Sequence, residues 1–299
     1  FAVGLQGVGI SEAAYQKAVE YAKERVQSRP VDGSAKEAVT IIHHPDVRRM
    51  LGTMRALTDA SRAIAYVAAA HNDIAHQHED AATRAHHQAI YEFLVPIVKG
   101  WSTELSLEVT SLGVQVHGGM GFIEETGAAQ FYRDSRILTI YEGTTAIQAN
   151  DFVGRKTFRD GGVVAKFLLD EIAKTVEELS AHDGAAFASM RKHLEQGARS
   201  FEHAMEFVIA NMKRDPNAVF IGSVLYLQLA GVVLGGWQMA RAMLIAAKKL
   251  QEDQAFYGAK IAIGQFYAEF ILPRALSYEA SIVGAKGGEG VLALTEDQF

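Results

Sequence analysis

Apolar residues recur along this chain at helical intervals and nowhere at sustained alternate positions, which predicts helices without a substantial sheet. Tyr15, Val19, Ala22 and Val26 step by four, three and four and mark one face of a first helix ending near Arg29. Residues 30–42 open with Pro, Asp, Gly and Ser and read as a connection. A second helix is expected after His44-Pro45-Asp46, with Val47, Met50, Met54, Leu57, Ile64, Val67, His71 and Ile74 along its stripe. A third runs from about Thr83 through Phe93, Ile97, Trp101, Leu105, Val109, Leu112 and Val116, with Pro96 expected to kink it or mark a break near its start. Beyond residues 115–148, which read as an over-long connection, a helix spans about Thr145 to Phe158. Arg159-Asp160-Gly161-Gly162 then looks like a linker.

Four more helical patterns follow, at about 163–181, 185–213, 216–250 and 253–272, and short joins between them suggest an antiparallel bundle. The last residues, from Gly284, are Gly-rich and then polar and read as a docked or loosely held tail. Pro216 to Ala240 holds no Asp, Glu, Lys or Arg, and a membrane-spanning helix needs only about 20 apolar residues. Its Asn217, Gln228, Gln238 and four glycines favour instead the central helix of the bundle, so no integral membrane span is expected.

With 299 residues the chain can hold one large or two ordinary domains. At 49% hydrophobic and 21% charged residues its composition is that of a globular protein. A net charge of −6, with Lys and Arg scattered and no basic stripe carrying aromatics, argues against nucleic acid as a partner. There is no cysteine, which removes disulfides, thiolate metal sites and thiol nucleophiles, and fits a cytoplasmic protein. The chain opens on Phe1 in what reads as the interior of a helical region, so a longer polypeptide is expected.

Candidate chemistry concentrates in residues 115–148. Glu142 stands between Tyr141 and Gly143, just ahead of Thr144, which can cap the next helix. In a dry pocket such a carboxylate becomes a usable general base; in a loop facing water it is only a solvated charge, and the residues alone favour the second. Gly118-Gly119-x-Gly121 follows a helix and not a strand, so it reads as a helix C-cap or a weak phosphate signal, and Gln115 either offers its amide to a ligand or faces water. His76, His78, His86 and His87 lie close in sequence, and His43-His44 precede a helix, but the spacing suits a solvated helix end better than zinc.

Taken together, Gln115, Gly118, Gly119, Gly121, Phe122, Arg133, Asp134, Ile140, Tyr141, Glu142, Gly143, Thr144, Ile147 and Gln148 resemble, in order and spacing, the C-terminal signature of the acyl-CoA dehydrogenases. Upstream, Tyr21-Ala22-x-x-Arg25 and Met50-Leu51-x-x-Met54 look like the first helices of that domain. Gly235-Gly236-Trp237, Phe266-Tyr267-Ala268 and the ending from Leu292 to Phe299 resemble, more loosely, the extra C-terminal domain of a larger subgroup that includes long-chain and 3-methylmercaptopropionyl-CoA enzymes.

The resemblance implies an all-α protein: the family's C-terminal four-helix bundle over 1–160 and a second helical bundle over 161–299. It implies a flavin-dependent dehydrogenase that, as the full-length protein, oxidises acyl-CoA to trans-2-enoyl-CoA and passes electrons to an electron-transfer flavoprotein. Glu142 would be the base that takes the α-proton. Arg25, Gln115, Gly118, Gly119 and Thr144 would hold FAD across a subunit interface, so a homodimer or tetramer is implied. Gln27 joins them on a looser match, because Val26-Gln27-Ser28 stands where the family usually shows a Phe-Gly pair. Tyr141 and Gly143 would line the thioester end of the pocket, and Arg133 and Asp134 would pair to brace the loop. The alternatives are a superfamily flavoprotein that does not dehydrogenate and a purely helical scaffold.

Overall fold

In a computed structural model, described for residues 1–284 and 288–299, the chain is helical almost throughout. α1 (Ala2–Glu24), α2 (Pro45–Gln77) and α3 (Ala81–His117) make the first bundle together with α5 (Ala128–Leu138), which follows a single helical turn, α4 (Gly119–Phe122). α2 starts with Pro45 in its first turn, where a missing N–H costs nothing. α3 starts on Asp80, whose carboxylate accepts from the Thr83 backbone N–H at 2.7 Å. α3 then continues through Pro96 to His117 without interruption.

α1 and α3 run parallel and unusually close. A Cβ at Gly4 would stand 2.3 Å from the Val98 carbonyl oxygen, and one at Gly7 would stand 2.6 Å from that of Ser102. This contact fixes which part of α3 faces which part of α1, and so positions everything attached to α3.

Three elements differ from the periodicity. α1 stops at Glu24 and not near Arg29, because the chain turns extended at Arg25 and Val26 pairs with Thr40 in an isolated antiparallel bridge. The supposed over-long connection contains α5. The 216–250 pattern divides at Gly222 into α9 (Pro216–Ile221) and α10 (Ser223–Lys249).

From α6 (Thr145–Asp151) a π-helical stretch, Phe152–Phe158, leads to Gly161 and Gly162, both at positive φ. α7 (Val163–Ser180) and α8 (Ala185–Asn211) then run antiparallel, Gly162 at the head of α7 meeting Met205 and Ile209 near the end of α8. α11 (Gln254–Phe270) and α12 (Arg274–Val283) complete the second group, and α13 (Glu289–Leu292) is a single turn. Of the tail, residues 285–287 lie outside the described residues.

α10 is the centre of the second group. It is long and apolar enough to cross a membrane, but 83% of its most apolar stretch is buried against other helices, as a core helix requires. Its Gly231 and Gly235 receive Trp101 of α3, so one hydrophobic cluster runs through both groups. Polar ties cross the same boundary: Arg274 donates twice to Glu108, at 2.7 Å each, and Lys260 donates to Asp59 at 2.9 Å.

Candidate active site

The segment between α5 and α6 is short, strained and fastened on all sides. Glu142 has φ 52° and is, with Ser28, one of two non-glycine residues at positive φ among the described residues. That region suits glycine and asparagine and costs glutamate about 1–2 kcal/mol. Gly143 follows at φ 89°. Thr144 then caps α6, its hydroxyl oxygen accepting from the Ile147 N–H, as its position suggested. The Thr145 N–H closes the loop on the Thr139 carbonyl at 3.1 Å.

Three side chains from α1 and α3 hold this loop, and the sequence pattern had singled out none of them. The Lys99 ammonium donates to the carbonyls of Leu138 at 3.0 Å and Gly143 at 2.6 Å. Glu104, one turn on, accepts the Thr145 hydroxyl at 2.5 Å. Gln6 accepts the Tyr141 hydroxyl through its side-chain oxygen. Burial pulls the Lys99 ammonium below its ordinary pKa, while the Glu104 and Glu142 carboxylates work against that. The Glu142 side chain itself is exposed in this chain.

The remaining expected residues gather elsewhere. Gln115, Gly118 and Gly119 lie at the C-terminal end of α3, beside Arg25 at the end of α1. Tyr21 stacks on His117 there, ring centroids 4.4 Å apart. A cleft of about 280 Å³ opens beside that stack, lined by Lys17, Glu20, Tyr21, Glu24, His117, Glu125 and Thr126. Burial holds His117 below its ordinary pKa, and its ring shares a 2.7 Å hydrogen bond with the Gly113 carbonyl.

The three glycines of the motif differ in role. Gly118 has φ 60° and ψ −140°, a conformation only glycine adopts readily, and a Cβ at Gly118 or Gly119 would meet nothing within 4 Å. Gly121 is a packing residue, since a Cβ there would stand 2.3 Å from the Val114 carbonyl oxygen. Gln27 is exposed, its N–H bonded to the Val39 carbonyl and its own carbonyl to the His44 ring, both in the ribbon beyond Arg25.

The expected residues therefore form two groups: Tyr141, Glu142, Gly143 and Thr144 beside Lys99, and Arg25, Gln27, Gln115, Gly118 and Gly119 at the far end of α3. From Lys99 to Gln115 is sixteen residues of one helix, about 24 Å at 1.5 Å per residue.

The expected Arg133–Asp134 pair does not form. Consecutive residues on α5 point about 100° apart and cannot face each other. Arg133 instead bonds Glu124 at 2.5 Å, and Asp134 makes no ion pair among the described residues. Of the histidines, His71 and His87 share a 2.7 Å hydrogen bond between their Nδ1 atoms, and His76 bonds the Asn72 carbonyl. Among the described residues no three His, Asp or Glu side chains converge as metal ligands.

Residues 1–156 match the family described as acyl-CoA dehydrogenase, C-terminal domain, and residues 168–294 match acetyl-CoA dehydrogenase C-terminal like. The chain is 52% identical to the 3-methylmercaptopropionyl-CoA dehydrogenase of Ruegeria pomeroyi, over 91% of this chain and 46% of that protein. It is 32% identical to a butyryl-CoA dehydrogenase of Syntrophomonas wolfei, over 89% of this chain and 44% of that one. The chain thus spans about half the length of the curated relatives it matches. In fold it is similar to an acyl-CoA dehydrogenase of Bacillus anthracis solved with FAD, at TM-score 0.71 and 19% identity, over 95% of this chain and 48% of that one. A signature read in the sequence, a helical bundle that carries it and two family matches covering nearly the whole length agree: the chain belongs to the acyl-CoA dehydrogenase family, with that family's C-terminal helical domain followed by a second helical domain.

Proposed function

We propose that the full-length protein oxidises an acyl-CoA to the trans-2-enoyl-CoA, with Glu142 as the base that removes the α-proton. The observation that carries this reading is the backbone of Glu142. A glutamate held at φ 52° in a loop fastened by Lys99, Glu104 and Gln6 has a use for its carboxylate, since glycine or asparagine would occupy that conformation at lower cost. A helical scaffold has no such use.

FAD fits the donor set. Arg25 and Gln115 are exposed at one end of the first bundle, a guanidinium for a pyrophosphate and an amide for a hydrogen-bonding ring. Gly118 and Gly119 leave open space beside them where a side chain would stand. FAD, when bound, would supply the acceptor for the hydride that leaves the β-carbon, with an electron-transfer flavoprotein as the expected onward acceptor. Within this chain, Glu142 takes the α-proton onto a carboxylate oxygen, and the electrons of that C–H bond remain with the substrate to form the new double bond. Tyr141 and Gly143 lie beside Glu142, where the thioester must sit for the α-carbon to reach the carboxylate.

The separation of about 24 Å between the two groups of residues supports a site shared between copies, in a homodimer or tetramer. Arg25, Gln115, Gly118 and Gly119 of one copy would then serve the flavin beside Thr144 and Glu142 of another. Because Glu142 is exposed here, the apolar cover that a base requires must come from outside these residues. The 299-residue chain by itself should bind flavin poorly and turn over negligibly.

The test is Glu142→Gln in the flavin-loaded full-length protein, with flavin absorbance followed on mixing with a panel of acyl-CoAs. Bleaching should be lost while FAD content stays at the wild-type level. Bleaching at the wild-type rate would take the base role from Glu142.

A further inference from the structure

We propose that Lys99 is the positioning residue for Glu142, fixing the backbone of its loop by gripping the carbonyls of Leu138 and Gly143 at either end. The inference rests on the reading of Glu142 as the base.

Lys99 is only 3% exposed, and a lysine this buried is rare unless its charge is used. Neither acceptor is a side chain that another residue might have supplied. Leu138 is the last residue of α5, so its carbonyl is one of those that no turn of that helix satisfies, and it lies at the negative end of the helix dipole. The Gly143 carbonyl belongs to the residue that follows Glu142. One ammonium therefore spans both sides of the four residues Thr139 to Glu142, at 3.0 Å and 2.6 Å.

The loop needs this restraint because its key residue is in an unfavourable conformation. Glu142 at φ 52° relaxes towards negative φ unless the two ends of its loop are held, and such a rotation re-aims its carboxylate. The other two side-chain ties reach the loop through its side chains and not through its backbone. The Tyr141 hydroxyl reaches Gln6 on an exposed surface, and the Thr145–Glu104 bond holds the start of α6. Among the described residues, only Lys99 bonds the residue that directly follows Glu142, through its carbonyl. The nearby Glu104 and Glu142 carboxylates balance its charge, so the ammonium is retained despite burial. An apolar side chain at position 99 would leave both carbonyls without their donor.

The experiment compares Lys99→Met, Lys99→Arg and Glu142→Gln in the flavin-loaded full-length protein. It measures kcat and KM for an acyl-CoA, FAD content, and amide hydrogen exchange. For K99M we expect kcat to fall about 100-fold with KM and FAD content unchanged, the size of effect that a misplaced reacting group of about 1 Å produces. Amides of residues 139–145 should exchange at least about tenfold faster while those of α2 and α10 stay protected, which separates loop release from general unfolding. K99R keeps two donors on a planar fork of different spacing, so its kcat should fall between those of K99M and the wild type, about tenfold down, with a smaller rise in loop exchange.

A K99M protein with wild-type kcat overturns the proposal. So does one whose exchange rises equally everywhere. If K99M does not fold, K99R decides alone, and wild-type kcat and loop exchange in K99R overturn the proposal. Failure of the underlying reading looks different, because E142Q would then still reduce its flavin. An inactive E142Q beside a fully active K99M removes only Lys99.

Discussion

The indole of Trp101 lies so close to Gly231 that a Cβ on the glycine would stand 2.2 Å from the ring's Cγ. Trp101 belongs to α3 of the signature-bearing bundle and Gly231 to α10 of the second group, and the tryptophan is 2% exposed. The second group is therefore seated on the first through a side chain that fills a slot left by missing side chains. Gly231→Ala should cost about 1–3 kcal/mol by overpacking, read as a lower urea midpoint. Gly9→Ala is the control. It lies in α1, and a Cβ there would meet nothing within 4 Å, so it should gain about 0.5–1 kcal/mol from helix propensity. Wild-type stability for G231A would show that the slot has slack.

Stability should fall on mild acidification through His71. Burial first, then His87 and His86 on α3 and Arg241 on α10, push its pKa from 6.5 down to about 4. Between those values the unfolded chain binds a proton that the folded one refuses, so stability is complete above pH 6.5 and is lost as pH falls towards 4. Burial likewise lowers His87 and His117, which adds to the effect with the same sign. We expect about 1–2 kcal/mol from His71 after allowing for its partial exposure. His71→Gln should flatten the urea midpoint between pH 7 and 5, and an unchanged slope would discard the account.

What the sequence reveals and conceals follows from how local each determinant is. The stripes of α2 and α3 were legible because apolar positions recur within one element, and α10 because charge is missing over several turns. α5 was hidden because one of its inward positions is Ser135, which bonds Thr110 of α3 at 3.0 Å instead of packing as an apolar side chain. The end of α1 is hidden because helical spacing carries on to Val26, and only the pairing with Thr40, fourteen residues later, turns the chain. Glu142 was visible through its flanking motif. Lys99 was not, since its partners stand 39 and 44 residues away and a single charge in LVPIVKGW gives no sign of them.

The conformation of Glu142 separates what the fold wants at that position from what chemistry wants. Alanine and glycine both remove the carboxylate, but only glycine takes φ 52° without steric penalty. Glu142→Gly should therefore be more stable than Glu142→Ala by about 1 kcal/mol, even though glycine elsewhere lowers stability through the entropy of the unfolded chain. Both variants should be equally unable to reduce flavin when made in the full-length protein. A urea midpoint for E142A equal to or above that of E142G would mean the loop is relaxed, and the argument from strain to function would lose its footing. The expected order, glycine above alanine with neither active, would mean that the protein keeps a glutamate where its backbone is better served by glycine. The carboxylate is then held there at a cost in stability, in a loop that Lys99 and Glu104 keep from relaxing.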